Sequence, residues 1–420
     1  MKIAIFSRST VEHFTSGGME THLKNLVEGL SKEGHILTVI TTSHPDSLTS
    51  DKKTFENKIK YLYIGDTTPG LNPITFWENL FVAIKVMVRS KKGEGKKNYY
   101  HESRKVFDEL NAKNPFDLVV SQSTSAMGVV NTIGIPIVSI IHGTIKAEIQ
   151  NRFKSNRTLN NWVRFFIVDL FRWYFELFTS NKVFFERVNK IIAVSQGLKK
   201  QFLMDHPNRE SKVEVIYNGV DAKLFKPGDS KYPIFTVLYI GRMDREKGVD
   251  LVIKAVEILK TRGVKTKAKL IGHGINIDEL KRYSKEQKVD DRIEFLGQIE
   301  NEKLIAYYQQ SHVFLLPTRR NEGHPMTISE ALCCGLPVIA TRKGGLAELI
   351  EDNRNGFFVK DNDPIDIADK LQSIISDSQM LKDFSKNARK IAEKKFSRDA
   401  MIHRYLEVLN DLVKHNAKNK

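Results

Sequence analysis

Cysteine is almost missing from this chain: two residues, Cys333 and Cys334, stand side by side in 420. Adjacent cysteines make no disulfide framework and have no metal-ligand spacing, so they read as small core residues in a reducing compartment. A run of eighteen apolar residues is missing too, which leaves no candidate membrane span. The opening MKIAIFSR is broken by Arg8 and is expected not to be a secretory leader. Acidic residues are in deficit, 50 against 66 Lys and Arg, for a formal net charge of +16. Such an excess suits nucleic acid, an anionic membrane surface or anionic substrates. The basic residues are spread along the chain with no nucleic-acid-binding module among them, which argues against nucleic acid. A cytoplasmic protein resting on acidic lipid fits better. Hydrophobic content of 41% and charged content of 28% are those of a globular protein. The length exceeds one ordinary core and predicts two domains.

The most informative stretch present is Asn321 to Gly345, NEGHPMTISEALCCGLPVIATRKGG. Glu322 falls in a turn flanked by Gly323 and Pro325, and Pro325 suits the first position of a helix. MTISEALCC can run helical until Gly335 ends it and Pro337 forbids continuation. PVIAT follows as a short buried strand and KGG as another turn. Glu322 and Glu330, eight positions apart, then lie roughly 12 Å or less from each other. That spacing suits a ligand with hydroxyls at both ends and an anion between them. The anion would meet the free N–H groups and favourable dipole of the helix start. A nucleotide diphosphate sugar has this layout.

The E-x7-E spacing, followed by EALCCGLPVIAT and GG, resembles the donor site of the large retaining glycosyltransferase family of the GT-B fold (family four-like, glycosyl transferases group 1). The resemblance implies that Glu322, with Gly323, His324 and Pro325, contacts the transferred sugar, and that Glu330 holds the ribose. Amides up to Met326 and Thr327 would line the sugar and distal phosphate. The string GRMDREKG matches the family's GR-x-x-x-EKG and implies that Arg242 and Lys247 carry the diphosphate, whose charge rises as it leaves. GGMETH, ahead of the first helix, resembles the family's GG-x-E-x-H and implies a phosphate contact at Gly18. His142, between the strand IPIVSII and Gly143, matches a strand-end histidine pointing at the donor sugar; with Glu322 it makes up the implied catalytic pair. Two places depart from the pattern. The usual histidine-bearing strand end after FDLVV is replaced by Ser121, Gln122 and Ser123, and Ile275 replaces the proline of a G-x-G-P string, so the base stays open.

Alternating apolar strands and amphipathic helices recur in both halves, predicting an α/β chain of two doubly wound Rossmann-like domains facing across a cleft. The expected division is residues 1–226 on the acceptor side, joined by a C-terminal helix at 397–414, and 227–396 on the nucleotide-sugar side, with the tail HNAKNK unstructured. Two helices are ambiguous. One runs from Phe76 to Val88 into a basic cluster, Arg89 to Lys97; the other, within 161–178, is rich in Trp and Phe. Each fits either a packed core or a lipid interface. By the resemblance the chain is expected to transfer a hexose, with retention, from a UDP- or GDP-sugar to a glycan or lipid-linked acceptor in envelope polysaccharide or glycolipid synthesis. No cofactor is expected beyond the nucleotide sugar, and no metal, since no Asp-x-Asp-type pair falls at the donor site. A sugar-nucleotide epimerase of the same fold, or a non-catalytic sugar-nucleotide binder at a membrane surface, would share these residues. A dinucleotide oxidoreductase does not fit, because GHGIN lacks the third glycine of that fingerprint.

Overall fold

A computed structural model describes residues 1–10, 17–42, 52–54, 58–64, 99–132, 134–144 and 181–418. The basic cluster at 89–97 and both ambiguous helices lie outside the described residues. The chain divides into two compact units. One comprises Met1–Ala193, Lys199–Val215 and Arg404–Lys420; the other comprises Val194–Leu198 and Ile216–His403.

In the first unit the strands are β1 (Lys2–Phe6), β2 (Ile36–Thr42), β3 (Lys52–Thr54), β4 (Ile59–Ile64), β5 (Leu118–Gln122), β6 (Ile137–Ile141), β7 (Lys190–Ala193) and β8 (Val213–Val215). They form one sheet in the order β3-β4-β2-β1-β5-β6-β7-β8. Every pairing is parallel except β3 with β4. Ile3, Ala4, Ile5 and Phe6 are fully buried, as a central parallel strand covered on both faces requires. That burial is why such strands read as continuous apolar runs. Leaving the edge strand β3 aside, chain order reverses between β1 and β5, the switch point where open α/β sheets bind ligands.

The second unit repeats the plan. Its strands are β9 (Phe235–Ile240), β10 (Thr266–Ile271), β11 (Ile293–Gly297), β12 (Val313–Leu316), β13 (Val338–Thr341) and β14 (Gly356–Val359). They are all parallel, in the order β11-β10-β9-β12-β13-β14. Here the order reverses between β9 and β12. The helix Val249–Thr261 buries Val252, Ile253, Val256 and Leu259, and the helix Met326–Cys333 buries Ile328, Ala331, Leu332 and Cys333.

Two local expectations need correction. Pro325 is not the first helical residue but the cap before it, with φ −65° and ψ 118°; its fixed φ still suits the approach to the helix. The tail HNAKNK is helical through Lys418 rather than unstructured. His415 bonds the carbonyl of Asp411 at 2.7 Å and the Asn416 amide donates to the carbonyl of Gly134 at 2.7 Å, so the first unit ties this end down. No described helix is long and apolar enough to cross a membrane.

Candidate active site

The sheet of the second unit delivers two loops to its switch point. The loop after β9 carries Arg242 to Gly248, and the loop after β12 carries Pro317 to Pro325. Gly248 lets them meet. Its φ is +74°, and a Cβ placed there would stand 2.0 Å from the carbonyl oxygen of Pro317. A side chain is therefore excluded on both conformational and steric grounds. Arg319 fastens the loops from the far side. It forms a two-pronged pair with Asp250, 2.7 Å at each contact, and donates to the carbonyl of Arg245 at 2.6 Å. Its planar fork is what makes such a clamp directional.

Held this way, Lys247 and Glu322 touch. The Lys247 Nζ lies 2.7 Å from Glu322 Oε1, and the Thr318 hydroxyl donates to the same oxygen at 3.1 Å. Arg320 approaches it at 3.9 Å through Nε. Burial alone would raise the Glu322 carboxyl, but the charges of Lys247 and Arg320, with hydrogen bonds from Lys247 and Thr318, bring it below its ordinary value. Arg242 stands at the outer end, 2.9 Å from Asp244 and 3.2 Å from Glu246. Arg320 also reaches Glu246, at 3.6 Å. Three cations and three carboxylates thus alternate along one edge. The set is unsaturated. Glu246 Oε2 and Arg320 Nε are buried without hydrogen-bond partners among the described residues, an arrangement native interiors rarely leave unexplained.

Glu330 differs. Only 7% exposed, it meets the hydroxyl of fully buried Tyr308 at 2.7 Å. Burial raises its carboxyl to about 7, with the Tyr308 hydrogen bond opposing. His324, 6% exposed, turns its ring inward. Its Nε2 is 2.8 Å from Ser329 Oγ, and its ring faces those of Tyr217 and Phe396. The side chain of this expected sugar contact is thus held inside the unit, and its carbonyl accepts from the Asn218 amide at 3.2 Å. Gly323 is packed from behind: a Cβ on Gly345 would stand 1.8 Å from its carbonyl oxygen, and the Gly345 amide donates to the Glu322 carbonyl at 2.8 Å. Met326 and Thr327 open the helix, so their amides have no acceptor within it.

In the first unit Gly18 begins the helix Gly18–Lys32. A carboxylate already sits at that end: Glu20 accepts from the Gly17 amide at 2.8 Å and from the Ser9 hydroxyl at 2.5 Å. His142 follows β6, and its Nε2 is 2.6 Å from Oε1 of Gln122, the last residue of β5. Burial lowers the His142 imidazole to about 4, so it is neutral near pH 7. The ring of His22 stands edge-on to that of His142 with centroids 4.9 Å apart, and the hydroxyl of Tyr405 lies 3.4 Å from His22 Nε2. Three residues of these sites escape a reading of motifs alone. Gln122 is visible only as one of three residues that replace the usual histidine-bearing strand end, and His22 only as the last letter of GGMETH. Arg320 carried no signal at all.

Comparisons with known proteins bear on the family and the fold. The model described as "Glycosyltransferase Family 4" matches residues 16–224, and that described as "Glycosyl transferases group 1" matches residues 221–391. An uncharacterized glycosyltransferase of Methanocaldococcus jannaschii is 27% identical over 403 residues, covering 94% of this chain and 95% of that protein. The capsular polysaccharide biosynthesis glycosyltransferase CapM of Staphylococcus aureus is 28% identical over 67% of this chain and 77% of its own. Among solved structures, Anabaena HepE in complex with UDP-glucose superposes with a TM-score of 0.66 at 18% identity, covering 98% of this chain and 100% of that one. Two doubly wound parallel sheets in the GT-B manner, with successive family models spanning nearly the whole sequence, place this chain among the group 1, family 4 glycosyltransferases.

Proposed function

We propose that the chain transfers a hexose from a UDP- or GDP-sugar to a glycan or lipid-linked acceptor, with the anomeric configuration retained. The observation that carries this reading is the contact between Lys247 and Glu322, which joins two motifs far apart in sequence at the switch point of one sheet. The donor's diphosphate would take Lys247 and Arg242, together with the amides of Met326 and Thr327. Fixed cations of this kind stabilise a leaving group whose charge grows in the transition state, so we assign that task to them rather than to a metal ion. Glu330 would accept the ribose hydroxyls. Glu322, with the backbone of Gly323 to Pro325, would position the sugar. Gly18 and His142 are proposed as substrate contacts of the first unit, His142 acting as a neutral hydrogen-bonding group. In the transfer the bond between anomeric carbon and phosphate oxygen breaks and the acceptor oxygen bonds to that carbon. The acceptor proton passes to the departing phosphate on the same face.

Support for the donor class comes from the HepE complex with UDP-glucose, and for a polysaccharide setting from the staphylococcal capsule relative. The net charge of +16 favours an anionic partner surface and keeps peripheral membrane attachment within the proposal. Melting-temperature shifts with UDP, GDP, ADP and TDP identify the base. Turnover with the matching sugar nucleotide then separates transfer, which needs an acceptor, from epimerisation, which alters the donor alone. Wild-type turnover in both Glu322→Ala and Lys247→Ala would refute the site.

A further inference from the structure

Lys247 has two claims on it. It neutralises Glu322 at 2.7 Å, and both side chains are largely buried, 15% and 11% exposed. A diphosphate that engages Lys247 would compete with that carboxylate for it. Glu322 would then be a buried anion without its main partner, which is a costly state. The groups facing it are few. From the loop after β9 come Lys247 and, one step away, Glu246; from β9 itself comes Tyr239, whose ring lies within the field of the carboxylate. From its own loop come Thr318 and Arg320. Arg242 and Asp244 pair with each other farther out. Among the described residues, Arg320 is the cation placed to replace the lost charge. Its Nε stands 3.9 Å from Glu322 Oε1 and is buried without a hydrogen bond. A movement of about 1 Å would turn that approach into a charge-assisted hydrogen bond.

We propose that Arg320 is a positioning residue that takes over as the counter-ion of Glu322 when a donor diphosphate engages Lys247. The inference rests on the donor reading above and adds an exchange of ion partners to it. The same unit shows what the exchange prevents. Glu330, equally enclosed but with only a tyrosine hydroxyl for company, is pushed up to about 7. Without Arg320, Glu322 would follow it once Lys247 left, and would take up a proton. The carboxyl that is to position the sugar would then lose its charge on binding the donor.

Calorimetric titration with UDP and with GDP between pH 6 and 8, in buffers of different ionisation enthalpy, counts the protons bound with the nucleotide. Using the same ligand throughout cancels its own titration. Relative to wild type, Arg320→Gln should take up as much as about one further proton per nucleotide, and its log Kd should rise with pH with an added slope approaching about 1. Arg320→Lys, which keeps the charge, should restore the wild-type proton count; Arg320→Met replaces the glutamine variant should that one not fold. A merely structural arginine would change affinity or melting temperature without changing the proton count. A wild-type count in the folded Gln or Met variant overturns the proposal while leaving the donor reading intact. If wild type binds neither nucleotide, the donor reading falls and this inference with it.

Discussion

The ends of β9 and β12 in the second unit and of β5 and β6 in the first are built from opposite materials. In the second unit Arg242, Lys247 and Arg320 alternate with Asp244, Glu246 and Glu322. In the first unit the groups at the ends of β5 and β6 are uncharged: Gln122 holds His142, and burial keeps that imidazole neutral. An alternating set of charges suits a ligand that arrives with its own, because an ion that gives up one partner still has another beside it. A neutral set suits hydroxyl groups, which need oriented donors and acceptors and gain little from net charge. The contrast therefore supports a diphosphate at the second unit and an alcohol at the first.

The comparison can be attacked most strongly at Lys247. Lys247→Ala should lower kcat/KM about 10²- to 10³-fold, the range seen when one fixed electrostatic stabiliser is removed; an effect under tenfold in a steady-state assay would break the contrast. Glu330→Gln tests burial. The folded carboxyl titrates near 7 against 4.5 for the free group, so the folded state keeps a proton that the unfolded state releases between those values. Stability must fall as pH rises through that window, by about 3 kcal/mol at most. The amide removes this cost. Glu330→Gln should therefore unfold at higher temperature than wild type at pH 8, by about 2–3 kcal/mol of stability, and show little gain at pH 4, as thermal denaturation would report.

His142→Asn, on the neutral edge, should cost about tenfold in turnover, the worth of one hydrogen bond. Because the wild-type imidazole lies near 4, no limb close to pH 6.5 should separate the two rate profiles. A limb present only in wild type would show His142 acting as a proton carrier and sink the neutral assignment. The smallest effect is expected at Glu20. Glu20→Ala removes the carboxylate at the start of the first helix and should cost about 1 kcal/mol in chemical denaturation, without altering nucleotide affinity of the second unit.

Much of this was readable from the residues because parallel strands covered on both faces appear as unbroken apolar runs; IAIF, LVV and VLYI each announced themselves. Motifs placed Glu322, Glu330, Arg242 and Lys247 because their neighbours, chiefly glycines and prolines, mark turns. Arg319 and Arg320 show where reading stops. They are adjacent and identical, yet one clamps Asp250 and the other approaches Glu322 and Glu246. Only the path of the loop decides which faces inward. His324 is a similar case: nothing in GHP tells that its ring turns toward Ser329 and away from solvent. The helical tail was missed because its anchor, the carbonyl of Gly134, lies far away in the chain.

The close approach of Gly248 to Pro317 has a practical consequence for anyone re-engineering this enzyme. The two loops are cast against each other with no slack, 2.0 Å separating a hypothetical methyl from the opposing oxygen. Swapping either segment for that of a relative would thus import half of a mould. Chimeras intended to change the sugar transferred should exchange residues 241–248 and 317–325 as one cassette, or the grafted piece will find its counterpart the wrong shape.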